Sequence, residues 1–147
     1  MKRNEKSSFG YLITICNNQL IKSLNRNFSN SKIDLTREQF IVLRTLWEND
    51  TVNQQSIANI LSKDKYSITK LIDGLEKRNL VKRVASKCDR RLKIIKLTSK
   101  SMNLKPKIES VADSTVKHAL EGISKKDLEI TVIVLSKIIE NIEGNEV

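Results

Sequence analysis

Between Phe9 and Phe28 the apolar residues Leu12, Cys16, Leu20, Leu24 and Phe28 fall four apart, with Phe9, Ile13 and Ile21 alongside. That spacing predicts a long amphipathic helix. The polar stretch from Asn27 to Lys32 ends it. Thr36, with Gln39 three residues on, forms a capping-box pattern ahead of Phe40, Leu43, Leu46 and Trp47. A second helix is therefore expected to run to about Glu48.

Asn49-Asp50-Thr51 reads as a turn, and Asn53 can cap a short helix whose inner face is Ile57, Ala58, Ile60 and Leu61. After Ser62-Lys63-Asp64 a further helix carries Ile68, Leu71, Ile72 and Leu75 on one side and Tyr66, Thr69, Lys70, Asp73 and Lys77 on the other. Asn79 is suited to the left-handed conformation that closes such a helix. Two short helices separated by a tight turn predict a helix-turn-helix.

Leu80 to Ala85 and Leu92 to Leu97 have strand-forming composition, with the polar Ser86 to Arg91 between them, which predicts a hairpin. Thr98 can cap a helical region containing Met102, Pro106, Ile108, Val111, Ala112, Thr115, Val116, Ala119 and Leu120, with Pro106 either in its first turns or kinking it. Glu121-Gly122 breaks the pattern. Ser124 to Asp127 restarts it for a last helix bearing Leu128, Val132, Leu135, Ile138, Ile139 and Ile142. The order is helix, helix, short helix, helix, hairpin, helix, helix, which is mainly α with a small β-hairpin wing. The apolar stripes of the two end regions exceed what so small a core can cover, so pairing with a second subunit is expected.

Composition sharpens this picture. A chain of 147 residues supports one domain with a real core, and 39% hydrophobic residues argue against disorder away from the ends. Met1 to Ser8 and Glu143 to Val147 are expected to fray. No apolar run reaches bilayer length and no signal-peptide pattern follows the N-terminus, so a cytoplasmic protein without a membrane partner is expected.

The net charge of +10 is unevenly placed: six basic residues against one acidic in 1–33, fifteen against eight in 34–100, and six against eight in 101–147. A basic surface of this kind attracts polyanions, though nucleic acid, a membrane surface and simple solubility all remain open on charge alone. Cys16, Cys88 and the lone His118 have no metal-ligand spacing, and two distant cysteines make no disulfide framework. With no Gly-rich phosphate loop and no distinguishable carboxylate pair, neither an enzyme nor a cofactor or metal is expected.

The stretch VNQQSIANILSKDKYSITKLIDGLEKRNLVKRVASKCDRRLKIIKLT, residues 52–98, resembles the winged helix-turn-helix of the MarR family of bacterial transcriptional regulators. The most specific part is Asp89-Arg90-Arg91 followed by Leu97-Thr98, joined to Leu75-Glu76 and Leu80-Val81-Lys82-Arg83. The resemblance implies a single domain over 1–147, with dimerisation helices at about 9–30 and 101–143 around a winged helix-turn-helix at about 34–98. It also implies a recognition helix around Tyr66 to Arg78, and a wing whose Arg reaches the minor groove while Asp89 braces it through a charged hydrogen bond. Asn79 stands where the family often has Gly, a mild departure because Asn tolerates the left-handed region. Cys16 lies in the first helix, as the reactive cysteine of the family's organic-peroxide sensors does, but further along it.

In that setting the function implied is a homodimeric regulator of transcription that reads a pseudo-palindrome in double-stranded DNA, a repressor responsive to a small-molecule effector of unknown identity or to an oxidant. Arg91 is assigned to the groove and Arg90 to phosphates or the same role, because a narrow minor groove favours guanidinium over the more strongly hydrated ammonium. On the helix, Ser67, Thr69 and Lys70 are placed to reach bases. Tyr66 is a contact or a packing residue, and Lys65, Lys77 and Lys82 are backbone contacts. Cys16 reads first as a small apolar core residue and Cys88 as an exposed bystander among cations, with redox sensing at either as the rival reading. A winged-helix module binding an acidic partner protein is the alternative from another functional class.

Overall fold

Helix starts are set by side chains that satisfy the first free amides. The computed structural model describes residues 5–49 and 52–144, with side chains described from Ser8 onward. Its elements are α1 (Glu5–Asn30), α2 (Arg37–Glu48), β1 (Val52–Asn53), α3 (Gln54–Ile60), α4 (Lys65–Lys77), β2 (Val81–Ala85), β3 (Lys93–Leu97), α5 (Ser99–Ala119) and α6 (Lys125–Glu143). Ahead of α2 the capping box is complete: the Gln39 amide donates to Thr36 Oγ1 at 3.2 Å and the Thr36 amide to Gln39 Oε1 at 3.1 Å. Asn53, Asp64 and Ser124 accept from the amides of Ser56, Ser67 and Asp127 to cap α3, α4 and α6. Thr98 Oγ1 accepts from the Ser101 amide in the first turn of α5.

Three helix ends share one device. After α1, α3 and α4 the chain turns through a left-handed residue, Lys32 (φ 56°), Ser62 (φ 48°) and Asn79 (φ 59°). In each case the next residue donates back to the helix, Ile33 to Phe28, Lys63 to Ala58 and Leu80 to Leu75. Two of the three returns are sealed by a buried apolar pair, Phe28 with Ile33 and Leu75 with Leu80. Asn79 thus does what its sequence position predicts, whereas Lys32 and Ser62 carry no such signal because neither residue type favours positive φ.

By its contacts the chain divides into two compact units, one up to Thr115 and one from Val116 onward. In the first, Val42 and Leu43 of α2, Ile57 of α3, Ile68, Ile72 and Leu75 of α4, Val81 of β2, Ile95 of β3 and Ile108 of α5 are fully buried in one core. Phe28 joins it edge-on to Phe40, which in turn meets Trp47. Asn27 Nδ2 donates to Thr115 Oγ1 at 2.8 Å, tying the end of α1 to α5. In the second, Gly122 turns the chain with φ 79° before the Ser124 cap, and α6 follows.

The predicted hairpin is part of a larger sheet. The strands lie in the order β1-β3-β2, all antiparallel, with Val52 opposite Ile95 and Val81 opposite Leu97. Strand β1 was invisible in the sequence because two residues show no alternation, and its Asn53 reads as the cap of α3, which it also is. The strands begin one residue later than expected: Leu80 belongs to the turn after α4, and the Leu92 amide donates to Asp89 within the wing loop. Of the turn Asn49-Asp50-Thr51, Asp50 and Thr51 lie outside the described residues.

Helix α1 begins four residues before Phe9, at Glu5, and α6 ends at Glu143; residues 1–4 and 145–147 are outside the described range. Pro106 sits inside α5 as its eighth residue, in the third turn. The expectation that Cys16 is buried is corrected: it is exposed, as is every described residue from Phe9 to Leu20. An apolar stripe buries a thiol only where something packs over it, and the residues of this part of α1 are exposed.

Candidate nucleic-acid interface

The N-terminus of α4 is built by Asp64. Its Oδ1 accepts from the Ser67 amide at 2.8 Å and its Oδ2 from the Ser67 hydroxyl at 2.6 Å. These bonds, the hydroxyl's first, hold the Asp64 carboxyl below its ordinary pKa. A carboxylate whose pKa is lower folded than unfolded contributes fully above the ordinary carboxylate range, and loses that contribution as pH falls through the lowered value. The stability difference between the protein and Asp64→Ala, from thermal unfolding at a series of pH values, is therefore expected to be constant near neutrality and to shrink in acid. A difference that grows in acid would contradict the capping role.

With Ser67 donating to its cap, its hydroxyl is left as an acceptor. Thr69 is engaged twice: its hydroxyl donates to the Lys65 carbonyl at 2.8 Å and accepts from Gln54 Nε2 at the start of α3. Tyr66 is not a packing residue, being 68% exposed, and Lys70 Nζ lies 4.8 Å from its ring centroid. Lys65, Tyr66 and Lys70 thus form an exposed group on the first turns of the helix. Lys77 is exposed but lies twelve residues from Lys65, roughly 18 Å along the axis, and does not share that group.

The wing is braced from within. Asp89 Oδ1 accepts the Arg91 amide at 2.9 Å, and Ser86 Oγ accepts the amides of Cys88 and Asp89. The loop is closed by the Ser86 amide on the Leu92 carbonyl. With Asp89 turned onto the backbone, Arg90 and Arg91 are exposed and have no ion-pair partner among the described residues. Below the loop, Arg83 of β2, only 16% exposed at its side chain, pairs with Asp73 at 2.6 Å and Glu76 at 3.1 Å, and its amide donates to Glu76. The C-terminal half of α4 and the wing strand are therefore clamped together.

The two parts meet across a groove of about 420 Å³ lined by Asn53, Gln54, Gln55, Lys65, Arg91, Leu92 and Lys93. The fold thus brings Lys65 beside Arg91, twenty-six positions apart in sequence. It also recruits Gln54, Gln55 and Lys93, which the residue pattern did not single out. Their only signal was position: two amides just after a helix cap, and one cation at the foot of the wing. Lys82 is exposed on β2. Cys88 is exposed at the wing tip beside this surface, and Cys16 is exposed on α1.

Amide donors and cations that have no ion-pair partner among the described residues, set around one groove, can bind a polyanion and hydrogen-bond within it. Comparison with known proteins agrees with this architecture. The sequence model of the MarR family matches residues 35–93. The chain is 30% identical over 121 residues to the HTH-type transcriptional regulator MgrA of Staphylococcus aureus, an alignment covering 80% of this chain and 81% of that protein. It is also similar to the crystal structure of transcriptional regulator PA3341, with 30% identity and a TM-score of 0.80 over 93% of this chain and 99% of that one. The backbone of an E. coli MarR mutant complexed with operator DNA follows the same fold at a TM-score of 0.84 and 22% identity, covering 92% of this chain and 96% of that one. With that extent of identity to a regulator and with the fold and wing in place, the chain belongs to the MarR family of winged helix-turn-helix transcriptional regulators.

Proposed function

We propose that two copies of the chain bind a pseudo-palindromic operator in double-stranded DNA, α4 entering the major groove by its N-terminal half and the wing reaching the adjacent minor groove. The observation that carries this reading is the groove in which Lys65, Arg91 and Lys93 converge beside the Gln54 and Gln55 amides. In a dimer, two such surfaces reach half-sites one helical turn apart, about 10 base pairs between centres. The E. coli MarR mutant that shares the fold is itself complexed with operator DNA, which supports DNA as the ligand of this fold.

The second copy is supported by exposed apolar surface. In α6, Ile130, Val132, Ile133, Val134, Ile139 and Ile142 are each about half exposed or more, and no residue of the helix is buried. On α1, Phe9, Tyr11, Leu12 and Ile13 are exposed likewise. Apolar surface on this scale marks an interface. Binding blocks transcription, and a small molecule, or oxidation at Cys16 or Cys88, relieves it by changing the separation of the two recognition helices.

Salt dependence tests the DNA reading. Two phosphate contacts in each protomer already give a log–log slope of affinity against salt of about −3.6. A flat dependence in a duplex-binding titration would contradict it and favour an acidic protein as the partner.

A further inference from the structure

A second cationic cleft lies at the other end of α4. It has a volume of about 260 Å³ and is lined by the turn after α1 (Lys32, Ile33, Asp34, Leu35), the end of α4 (Arg78, Leu80) and one face of α5 (Lys100, Leu104, Lys107). Thirteen helical residues, roughly 20 Å, separate it from the capped end of α4 that faces the wing groove. It is therefore not an extension of that groove.

Four cations line this cleft against one carboxylate. Arg78 has Nε 2.9 Å from Asp34 and Nη1 donating to Gln39 at 2.7 Å. Lys100 Nζ donates to the Arg78 carbonyl at 2.8 Å. The side-chain ammonium groups of Lys32 and Lys107 have no hydrogen-bond or ion-pair partner among the described residues. The floor is aliphatic: Ile33, Leu35 and Leu80 are buried, with Leu104 beside them. Lys32 also occupies a left-handed position where Gly would be less strained. Carboxylate supply is short, since the Asp34 side chain is 85% exposed and shared with the guanidinium.

We infer that this cleft is a binding site for a small phosphate monoester with a short aliphatic body. An excess of three positive charges matches a dianion better than a monocarboxylate, and the apolar floor has no use for a bare inorganic ion. The volume suits a small metabolite and is below the usual range for larger ligands. A bound dianion competes with Asp34 for Arg78, which also ties the α2 cap, while Lys100 ties α5 to the end of α4. Occupancy therefore acts on the elements that orient α4. That consequence rests on the regulatory reading above; binding itself does not.

The test uses the full chain without DNA, titrated with n-butyl phosphate by calorimetry and followed by amide chemical shifts. The expected result is saturable binding with shifts at Lys32 to Leu35, Arg78 to Leu80 and Lys100 to Leu104, tighter than for inorganic phosphate or butyrate. Affinity should rise between about pH 5 and pH 7.5 as the ester gains its second charge near pH 6. Lys32→Gly combined with Lys107→Gln should weaken it about tenfold; Lys32→Gly relieves backbone strain, so this variant keeps the fold. Absence of saturable binding at millimolar ligand, butyrate binding as tightly, or unchanged affinity in the double variant would each overturn the assignment. Failure of the chain to bind DNA leaves the titration readable.

Discussion

Replacing Val132 and Ile139 with glutamate is expected to give a folded monomer whose operator affinity is weaker by roughly 10²–10⁴-fold. Both residues lie seven apart on one face of α6, and both are 54% exposed in the single chain. Glutamate there stays in water in the monomer, so its cost to folding is that of a surface change, within about 0.5 kcal/mol. In a dimer the same carboxylates would be buried without partners against apolar side chains, which is several times more costly. Loss of the second copy removes the effective concentration with which one bound half-site supplies the other. Light scattering at micromolar concentration would give the mass, and a titration with operator duplex the affinity. A dimer that persists, or a monomer with undiminished affinity, would contradict the proposed assembly.

The second large effect is at the wing. Arg91→Ala is expected to cost about 1–3 kcal/mol in operator binding, roughly 5- to 150-fold, with mass and thermal stability unchanged. The argument is geometric. The Arg91 amide, and not its guanidinium, is held by Asp89, so truncating the side chain leaves the turn intact. Arg91 lines the groove with Lys65 and Lys93, and its guanidinium has no ion-pair partner among the described residues. Lys in its place should recover only part of the affinity, because a compact ammonium keeps its hydration more strongly in a narrow groove. Equal affinity for Arg91→Ala and the parent protein, measured by fluorescence anisotropy, would remove the wing from the interface.

What was legible in the sequence is what neighbouring residues decide among themselves. The Thr36–Gln39 capping box, the Asn53 and Ser124 caps and the turn at Asn79 depend on side chains within three residues of the amides they serve, so their spacing showed them. The apolar faces of α2 and α4 were equally plain, because a helix that packs on one core repeats its apolar residues at a fixed interval. The hidden parts are tertiary. The pairing of β1 with β3 depends on Val52 meeting Ile95, and the Gln54–Thr69 bond joins two helices. Lys32 and Ser62 adopt positive φ because the chain returns there to bury Ile33 and to start α4, and neither residue type announces it.

The candidate site divides the same way. Asp89, Arg90 and Arg91 stood together in sequence, and the turn that Asp89 makes is local. Lys65, Tyr66 and Lys70 stood on one helical face. The meeting of Lys65 with Arg91 across a groove is a property of the fold, as is the inclusion of Gln54, Gln55 and Lys93. Lys77 shows the converse: it shares the outer face of α4 in a periodicity argument, yet a helix is long enough to carry it out of reach of the wing groove. Cys16 failed for another reason, since a stripe of apolar residues says that a face is to be covered but not that the same chain covers it.

The most direct measurement is selection of bound duplexes by the purified protein from a random DNA library, followed by affinity measurement on the selected sequence. Sequence-specific recognition by two wing-and-helix surfaces predicts enrichment of an inverted repeat with half-site centres about 10 base pairs apart. It also predicts a mutated half-site weaker by about 1–3 kcal/mol per changed base pair. Failure to enrich any sequence, or enrichment of a single unrepeated site bound by one chain, would contradict the account.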